Sequence, residues 1–370
     1  MTTARRFETL DVFRGLTVLA MIVVSTPGTW EAVYSPLDHA AWNGWTPTDL
    51  VFPFFLFAMG AAVPVALARR RGAQTRVRRH VLRRGAILFA LGLVLNAIET
   101  APPLSWSTFR IPGVLQRIAI VYVLIAWLTE RTSRRAQAIV AVALLIGYWA
   151  AMTLVPVPGV GAGVLTPEGN LAAYLDRVVL GRHLVFGAWD SEGLLSTLPA
   201  VATALAGVFA GDWLMREPSR THRALSLWAI GAAATVVALV WDRAFPINKN
   251  LWTSSFALLS AGVAAQVLVA CHWLLGAQRW RAWSLPLTAF GRNALVVYFL
   301  SIGLDSVLSR WTVNAGGDSL KAEMYTRAIA WWTEPWGGAE TASLVYALAY
   351  TGVWGVIAWN MYRRRVFVGI

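Results

Sequence analysis

A chain of 370 residues that is 57% apolar and only 14% charged cannot cover a soluble fold, whose sequence carries about 25% charged residues. The net charge of +13 would suit nucleic acid if it were gathered on one face, but its placement along the chain argues against that partner. The single cysteine, Cys271, lies in an apolar segment and cannot close an intrachain disulfide, so it says nothing of redox compartment.

Length and flanks locate the elements better than periodicity, because a lipid-facing helix is apolar nearly all round. Apolar runs of roughly 18–25 residues, each long enough to cross a hydrocarbon core, fall near 12–30, 49–68, 81–99, 114–129, 136–155, 194–215, 224–241, 252–275, 286–306 and 341–362. A further interfacial or re-entrant helix is expected near 322–333, which makes ten or eleven helices. The first run has no small-residue cleavage site at its end and many runs follow it, so it reads as a first span rather than a removed signal peptide. No stretch is long and polar enough for a separate soluble domain, and residues 1–370 read as one domain.

The loops alternate in basic content. Of the 32 lysines and arginines, 21 fall on alternate loops, beginning with Arg5 and Arg6, running through the cluster from Arg69 to Arg84, and ending with Arg363, Arg364 and Arg365. Basic loops stay cytoplasmic, so the expected fold is an all-α polytopic membrane bundle of about ten spans with both termini cytoplasmic. The opposite loops, 31–48, 156–193 and 307–340, are long and rich in Trp, Pro and Gly. Loops of that length often carry function, and their tryptophans, Trp30, Trp42 and Trp336 among them, suit a membrane interface.

Polar groups in or beside spans are costly, so each asks for a reason. Arg14 in LDVFRG reads as a snorkelling anchor or a phosphate contact on the cytoplasmic side. Arg117, beside Gln116 in GVLQRIAI, and Arg292, beside Asn293 in AFGRNALVVY, read as structural ion pairs or ligand contacts, and Gly291 permits a close backbone approach. Of five histidines, His80 and His222 lie in basic loops, His272 lies in an apolar span, and His183 shows no evident partner. His39 differs: Asp38 precedes it and Asp49 follows ten residues later, and a carboxylate near an imidazole fixes its tautomer and raises its basicity. No histidine pair has zinc-ligand spacing, and there is neither a phosphate-binding Walker loop nor a G-x-S-x-G elbow. Asp176, Asp190, Glu192, Asn248, Lys249, Asn250 and Ser254 gather on the far side of the membrane, where together they could line a sugar or amine pocket. On the residues alone, Arg117, Arg292 and Asn96 within glycine-interrupted helices suit a multi-pass transporter of an anionic or sugar-like solute. A non-catalytic scaffold is a third possibility, and it leaves the intramembrane arginines without a role.

The segment LDVFRGLTVLAMIVVSTPG followed by DHAAWNGWTPTDLVFPFFLFAMG resembles the opening signature of the heparan-alpha-glucosaminide N-acetyltransferase family. The resemblance continues in order through IPGVLQRIAIVY, NLAAYLDR, DSEGLLSTLPAVATALAGVFAGDWL, FPINKNLWTSSF and FGRNALVVYFLS. It implies a transmembrane acyltransferase that takes the acetyl group from cytoplasmic acetyl-CoA to an amine of a sugar on the far side, with no metal. His39 occupies the position of the family's active-site histidine. The resemblance thus implies His39 as general base, or as the carrier of a covalent acetyl group, with Asp38 or Asp49 orienting the ring. Family members carry an asparagine where this chain has Ser25, and Ser25 can still donate a hydrogen bond to an oxyanion, with shorter reach. Arg14, Gln116, Arg117, Arg292 and Asn293 are the expected acetyl-CoA contacts. Trp42, Asn43, Asp190, Glu192, Asn248 and Lys249 are the expected contacts to a sugar or glycan acceptor. The expected location is the inner membrane of the cell, with the lipid bilayer as partner and an apolar surface that permits a homodimer.

Overall fold

The computed structural model describes residues 3–68, 74–100, 105–215, 220–276, 281–312 and 317–368. The basic turns expected around Arg69–Arg71, Arg216 and Arg279 lie outside the described residues. Thirteen α-helices make up the described architecture: α1 Thr3–Ser25, α2 Val51–Ala68, α3 Gln74–Thr100, α4 Val114–Arg131, α5 Arg134–Leu154, α6 Leu171–Leu180, α7 Thr197–Met215, α8 Arg220–Trp241, α9 Ser254–Gly276, α10 Arg281–Arg292, α11 Ala294–Arg310, α12 Leu320–Tyr325 and α13 Trp331–Arg363. Nine of the ten expected spans each overlap one of these helices, and the tenth, 286–306, overlaps two, α10 and α11. Among the described residues, six helical stretches are long and apolar enough to cross a membrane, or up to seven if the bent pair α10–α11 is one span.

The residues divide into two compact units. The first holds Met1–Arg6, Ala41–Trp45 and Phe52–Trp273, and the second holds Phe7–Ala40, Thr46–Val51 and Leu274–Ile370. In the first unit α3 packs on α4, and α7 packs on both α4 and α5. Helices α2 and α7 meet through small residues: a Cβ on Gly60 would strike the Ala204 carbonyl, and one on Gly207 the Phe57 carbonyl. Lipid tails are as apolar as the helices, so such close backbone contact, more than hydrophobic burial, supplies the association energy. The loop expected at 156–193 contains α6, whose start is capped by Asn170 accepting from the Ala173 N–H at 2.8 Å.

In the second unit the expected span at 286–306 is broken. Helices α10 and α11 are bent by 74°, and Asn293 stands between them at φ −115°, ψ 25°. Its side-chain amide pairs with the C-terminal segment instead of a helix turn, donating to the Val366 carbonyl and accepting from the Val368 N–H, both at 3.1 Å. Gly291, two residues before, lies so close to α1 that a Cβ there would meet the Asp11 carbonyl. The loop expected at 307–340 is also largely helical: α12 starts at a Ser319 cap and runs through a π-turn at Thr326–Ala330 into α13. A continuous helix over Leu320–Arg363 is 44 residues long; at about 1.5 Å per residue it would be twice as long as a ~30 Å hydrocarbon core. Gly338 divides it, with φ 78° and ψ 173° inside α13, and leaves a second half that matches the expected 341–362 span.

Candidate active site

His39 lies on the segment between α1 and α2, in the second unit with Asp38 and Asp49. Two short 3₁₀ turns, Ser35–Leu37 and Pro47–Leu50, bracket it, each with a proline in its first two residues that pre-sets φ. The second turn places Asp49 where its side chain reaches back to the Thr46 N–H at 2.9 Å. Asp49 is fully buried, and its carboxylate is well satisfied. Oδ2 also accepts from the Ala40 N–H at 3.2 Å, and Oδ1 lies 2.7 Å from His39 Nδ1. A carboxylate only accepts, so Nδ1 carries the proton and the neutral imidazole has its lone pair at Nε2. The ring is 43% exposed while its partner is 1% exposed, so a buried anion orients an imidazole that faces outward. Asp38 acts differently: its Oδ1 accepts from the His39 N–H at 2.7 Å and so shapes the backbone, not the ring.

Thr46 joins the two carboxylate residues. Its hydroxyl donates to the Asp38 carbonyl at 2.6 Å and lies 3.2 Å from Asp49 Oδ2. Thr46→Val keeps the backbone bond and deletes the hydroxyl. We expect it to cost about 1 kcal/mol of stability and to lower turnover by only a few fold, which a melting curve and an initial-rate assay would read together.

Ser25 is the last residue of α1; its hydroxyl points back to Met21 Sδ at 3.4 Å, a weak contact. The neighbouring Thr26 hydroxyl is committed to the Ile22 carbonyl at 2.8 Å. At the other end of the second unit, Arg14 and Arg292 share one carboxylate: Asp11 Oδ1 lies 2.7 Å from Arg14 Nη2, and Asp11 Oδ2 lies 3.5 Å from Arg292 Nε. Two guanidinium groups on one carboxylate leave an excess positive charge. The Arg292 group also lies over Phe367 at 5.0 Å, a cation–π contact that orients it. Three of the five expected acetyl-CoA contacts, Arg14, Arg292 and Asn293, therefore belong to one neighbourhood.

The other two lie in the first unit and are deeply buried: Gln116 is 2% and Arg117 1% exposed. Arg117 Nη2 donates to the Gly193 carbonyl at 3.1 Å and to Ser196 Oγ at 2.5 Å, and its guanidinium lies over Trp252 at 5.1 Å. Among the described residues, Arg117 Nε and Nη1 and both amide atoms of Gln116 have no hydrogen-bond partner.

The expected acceptor contacts are all in the first unit and form two groups. Trp42 donates from Nε1 to the Leu165 carbonyl at 2.8 Å and meets Trp189 edge to face at 5.0 Å. Asn43 accepts from Asn248 Nδ2 at 3.1 Å, while Lys249 beside it is half-buried. In the second group, Arg110 grips Asp190 with both edges of its fork, at 2.9 and 2.7 Å, and reaches Glu192 at 2.5 Å. Burial works against the Glu192 charge, but Arg110 and then Arg117 overcome it and hold its carboxyl below the usual range. Asp176 on α6 goes the other way: burial pushes it up to about 6.

Several residues in these groups carry no local sequence signal for function. Arg110 counts only as a loop arginine, although it holds Asp190 from 80 residues away. Asp11 shows nothing until it is placed between Arg14 and Arg292. Thr46 is the exception, since Thr46-x-x-Asp49 is a capping-box pattern. His183, without an evident partner in the sequence, has Nδ1 2.7 Å from the Phe109 carbonyl.

An all-helical, polytopic membrane protein with a carboxylate-oriented histidine on the segment between its first two helices is the class that these elements define. Residues 6–247 match the family described as heparan-alpha-glucosaminide N-acetyltransferase, catalytic, and the chain belongs to that family. It is similar to the human heparan-alpha-glucosaminide N-acetyltransferase, with 26% identity over 98% of this chain and 59% of the human protein. The mouse protein of the same name is 27% identical over 99% of this chain and 61% of its own length. The chain thus spans about 60% of the length of these relatives.

Proposed function

We propose that the whole chain is one acyltransferase domain that moves an acetyl group from acetyl-CoA to an amino or hydroxyl group of a sugar across the membrane. The observation that carries this reading is the Asp49–His39 pair, with a 2.7 Å bond from a buried carboxylate to an outward-facing imidazole. His39 Nε2 takes a proton from the acceptor amine as its nitrogen attacks the thioester carbonyl. The tetrahedral oxyanion is stabilised by Ser25 or nearby N–H groups. The C–S bond then breaks, and the imidazolium returns the proton to the departing thiolate, giving an amide and free CoA thiol. A covalent acetyl-histidine is the second route, with the same net balance.

Arg14 and Arg292, with excess positive charge at one end of the second unit, suit the phosphates of CoA. The buried Arg117 and Gln116 suit uncharged or singly charged parts of a ligand that has shed its water. Trp42, Asn43, Asn248 and Lys249 suit a sugar, as a stacking surface beside amide and ammonium groups. CoA is cytoplasmic and the acceptor is outside, so ten spans with both termini cytoplasmic, in the inner membrane, is the topology that lets the two meet within the bilayer.

The test is direct. Purified protein incubated with labelled acetyl-CoA and a panel of amino sugars should place label on a sugar. No transfer together with no CoA binding would remove the proposal. The bent pair α10–α11 and the buried Arg117 favour a second reading, a transporter of an anionic solute. Uptake into vesicles without CoA would support it.

A further inference from the structure

One end of the first unit carries more positive charge than its own carboxylates neutralise. The start of α3 meets the end of α4 there, with Arg78 Nε 3.3 Å from both Glu130 oxygens. Thr132 and Ser133 then join α4 to the start of α5, where Arg134 is engaged with Asp212 of α7 at 2.7 Å. Among the described residues, Glu130 and Asp212 are the carboxylates that α3, α4, α5 and α7 bring to this end, and both are taken. Arg79, Arg83 and Arg135 are exposed and pair with no carboxylate among the described residues. Arg131, also exposed, lies over the Trp127 ring at 5.0 Å.

Behind these arginines the same helix faces are hydrocarbon. Residues three or four apart share a face. On α3 the exposed face runs from Arg79 and Arg83 to Ala86, Ala90 and Val94. On α4 it runs from Arg131 to Trp127, Leu124 and Ile120, and on α5 from Arg135 to Ile139, Val142 and Ile146. Three helices thus repeat one order, a guanidinium at the end and then an apolar stripe. From Arg83 to Val94 the stripe rises about 16 Å, half of a ~30 Å hydrocarbon core and so the depth of one leaflet. The Trp127 ring beneath Arg131 marks headgroup level, where such rings settle.

A water-soluble phosphate would satisfy the arginines and leave the stripes without a partner. A zwitterionic lipid would cover the stripes and leave four positive charges uncompensated. We infer that this end of the first unit selects phospholipids of net-negative headgroup, with their phosphates against Arg79, Arg83, Arg131 and Arg135 and their acyl chains along the stripes of α3, α4 and α5. The site uses none of the residues proposed for acyl transfer and does not depend on that proposal.

The experiment reads lipid binding to the full chain in detergent by native mass spectrometry, with phosphatidylglycerol and phosphatidylcholine of the same acyl chains. An arginine near an anionic surface is worth about fivefold in affinity, so the intact chain should prefer phosphatidylglycerol by at least tenfold. Arg79→Gln with Arg83→Gln, and separately Arg131→Gln with Arg135→Gln, should each reduce that preference at least fivefold. Arg182→Gln with Arg243→Gln removes the same charge from the opposite ends of these helices and should leave the preference unchanged. Arg182 precedes His183, whose carbonyl accepts from the Ile111 N–H just ahead of α4 at 3.2 Å, and Arg243 follows Trp241, which meets Trp149 near the end of α5 at 5.7 Å. The two test pairs stand on different helices, so a folding fault in one leaves the other to decide. Equal affinity for the two lipids would make the arginines ordinary snorkelling side chains and overturn the inference. A preference lowered equally by the Arg182 and Arg243 pair would reduce it to net charge and overturn it as well. Glycerol 3-phosphate displacing phosphatidylglycerol at equal concentration would show that the arginines read a free phosphate, and the lipid assignment would fall.

Discussion

His39→Ala is expected to lower acetyl transfer by about 10²–10⁴-fold, the range that a positioned general acid–base contributes, while acetyl-CoA still binds. The geometry makes a sharper companion variant available. Asp49 Oδ2 accepts from two backbone donors, the Ala40 and Thr46 N–H groups. In Asp49→Asn, the amide oxygen must occupy that position, because an NH₂ there would face two N–H groups. The NH₂ is then forced onto the Oδ1 position, 2.7 Å from His39 Nδ1. Nδ1 can only accept from it, so the ring proton moves to Nε2 and the lone pair needed for proton abstraction is lost. Asp49→Asn should therefore fold, bind acetyl-CoA, and approach the His39→Ala rate. Initial rates with both variants, next to a CoA-binding isotherm, check this. A rate within twofold of the intact chain in either variant would take His39 out of the reaction.

What could be read in the sequence follows from the range of the interactions involved. Helices are legible because a membrane span writes its own length in apolar residues, and α2, α5 and α8 needed nothing else. The α10–α11 break is not legible, because SLPLTAFGRNALVVYF reads as one apolar run. At the break the Asn293 side chain pairs with Val366, 73 residues on, and with Val368, partners that no local run of residues announces. The His39–Asp49 pairing is legible in kind, since both groups lie within ten residues and a capping-box threonine stands between them. Its roles are not: composition cannot say that Asp49 holds the ring while Asp38 holds the backbone. Arg110 shows the same limit at greater separation. Its partners, Asp190 and Glu192, read as acceptor-binding carboxylates, and the structure places both of them against its guanidinium. Any acceptor contact they make must be shared with that cation.

Arg110→Met is expected to cost about 3–5 kcal/mol of stability at neutral pH, the penalty for leaving buried charge uncompensated. Asp190 and Glu192 side chains are only 0% and 8% exposed, and Arg110 at 17% is the cation that contacts both. The pH dependence identifies the cause. In the intact chain Glu192 is held below its ordinary range despite burial, because Arg110 and Arg117 attract its charge. A carboxyl with a depressed folded pKa contributes stability that is present above its unfolded pKa and is lost as pH falls through the folded value. In Arg110→Met the larger of the two attractions is gone and burial weighs more heavily on Glu192, so its folded pKa rises and stability is regained as pH falls and that carboxyl takes up a proton. Asp176, raised to about 6 by burial, makes folding less favourable as pH climbs from about 4 to 6, but it does so in both proteins and cancels in their difference. The gap between the two melting temperatures should therefore be widest near pH 7.5 and narrow steadily towards pH 4.5. A gap that stays constant across that range would mean that the loss is one of packing along the arginine stem, and that the charge contact between Arg110 and the 190–192 segment carries no stability.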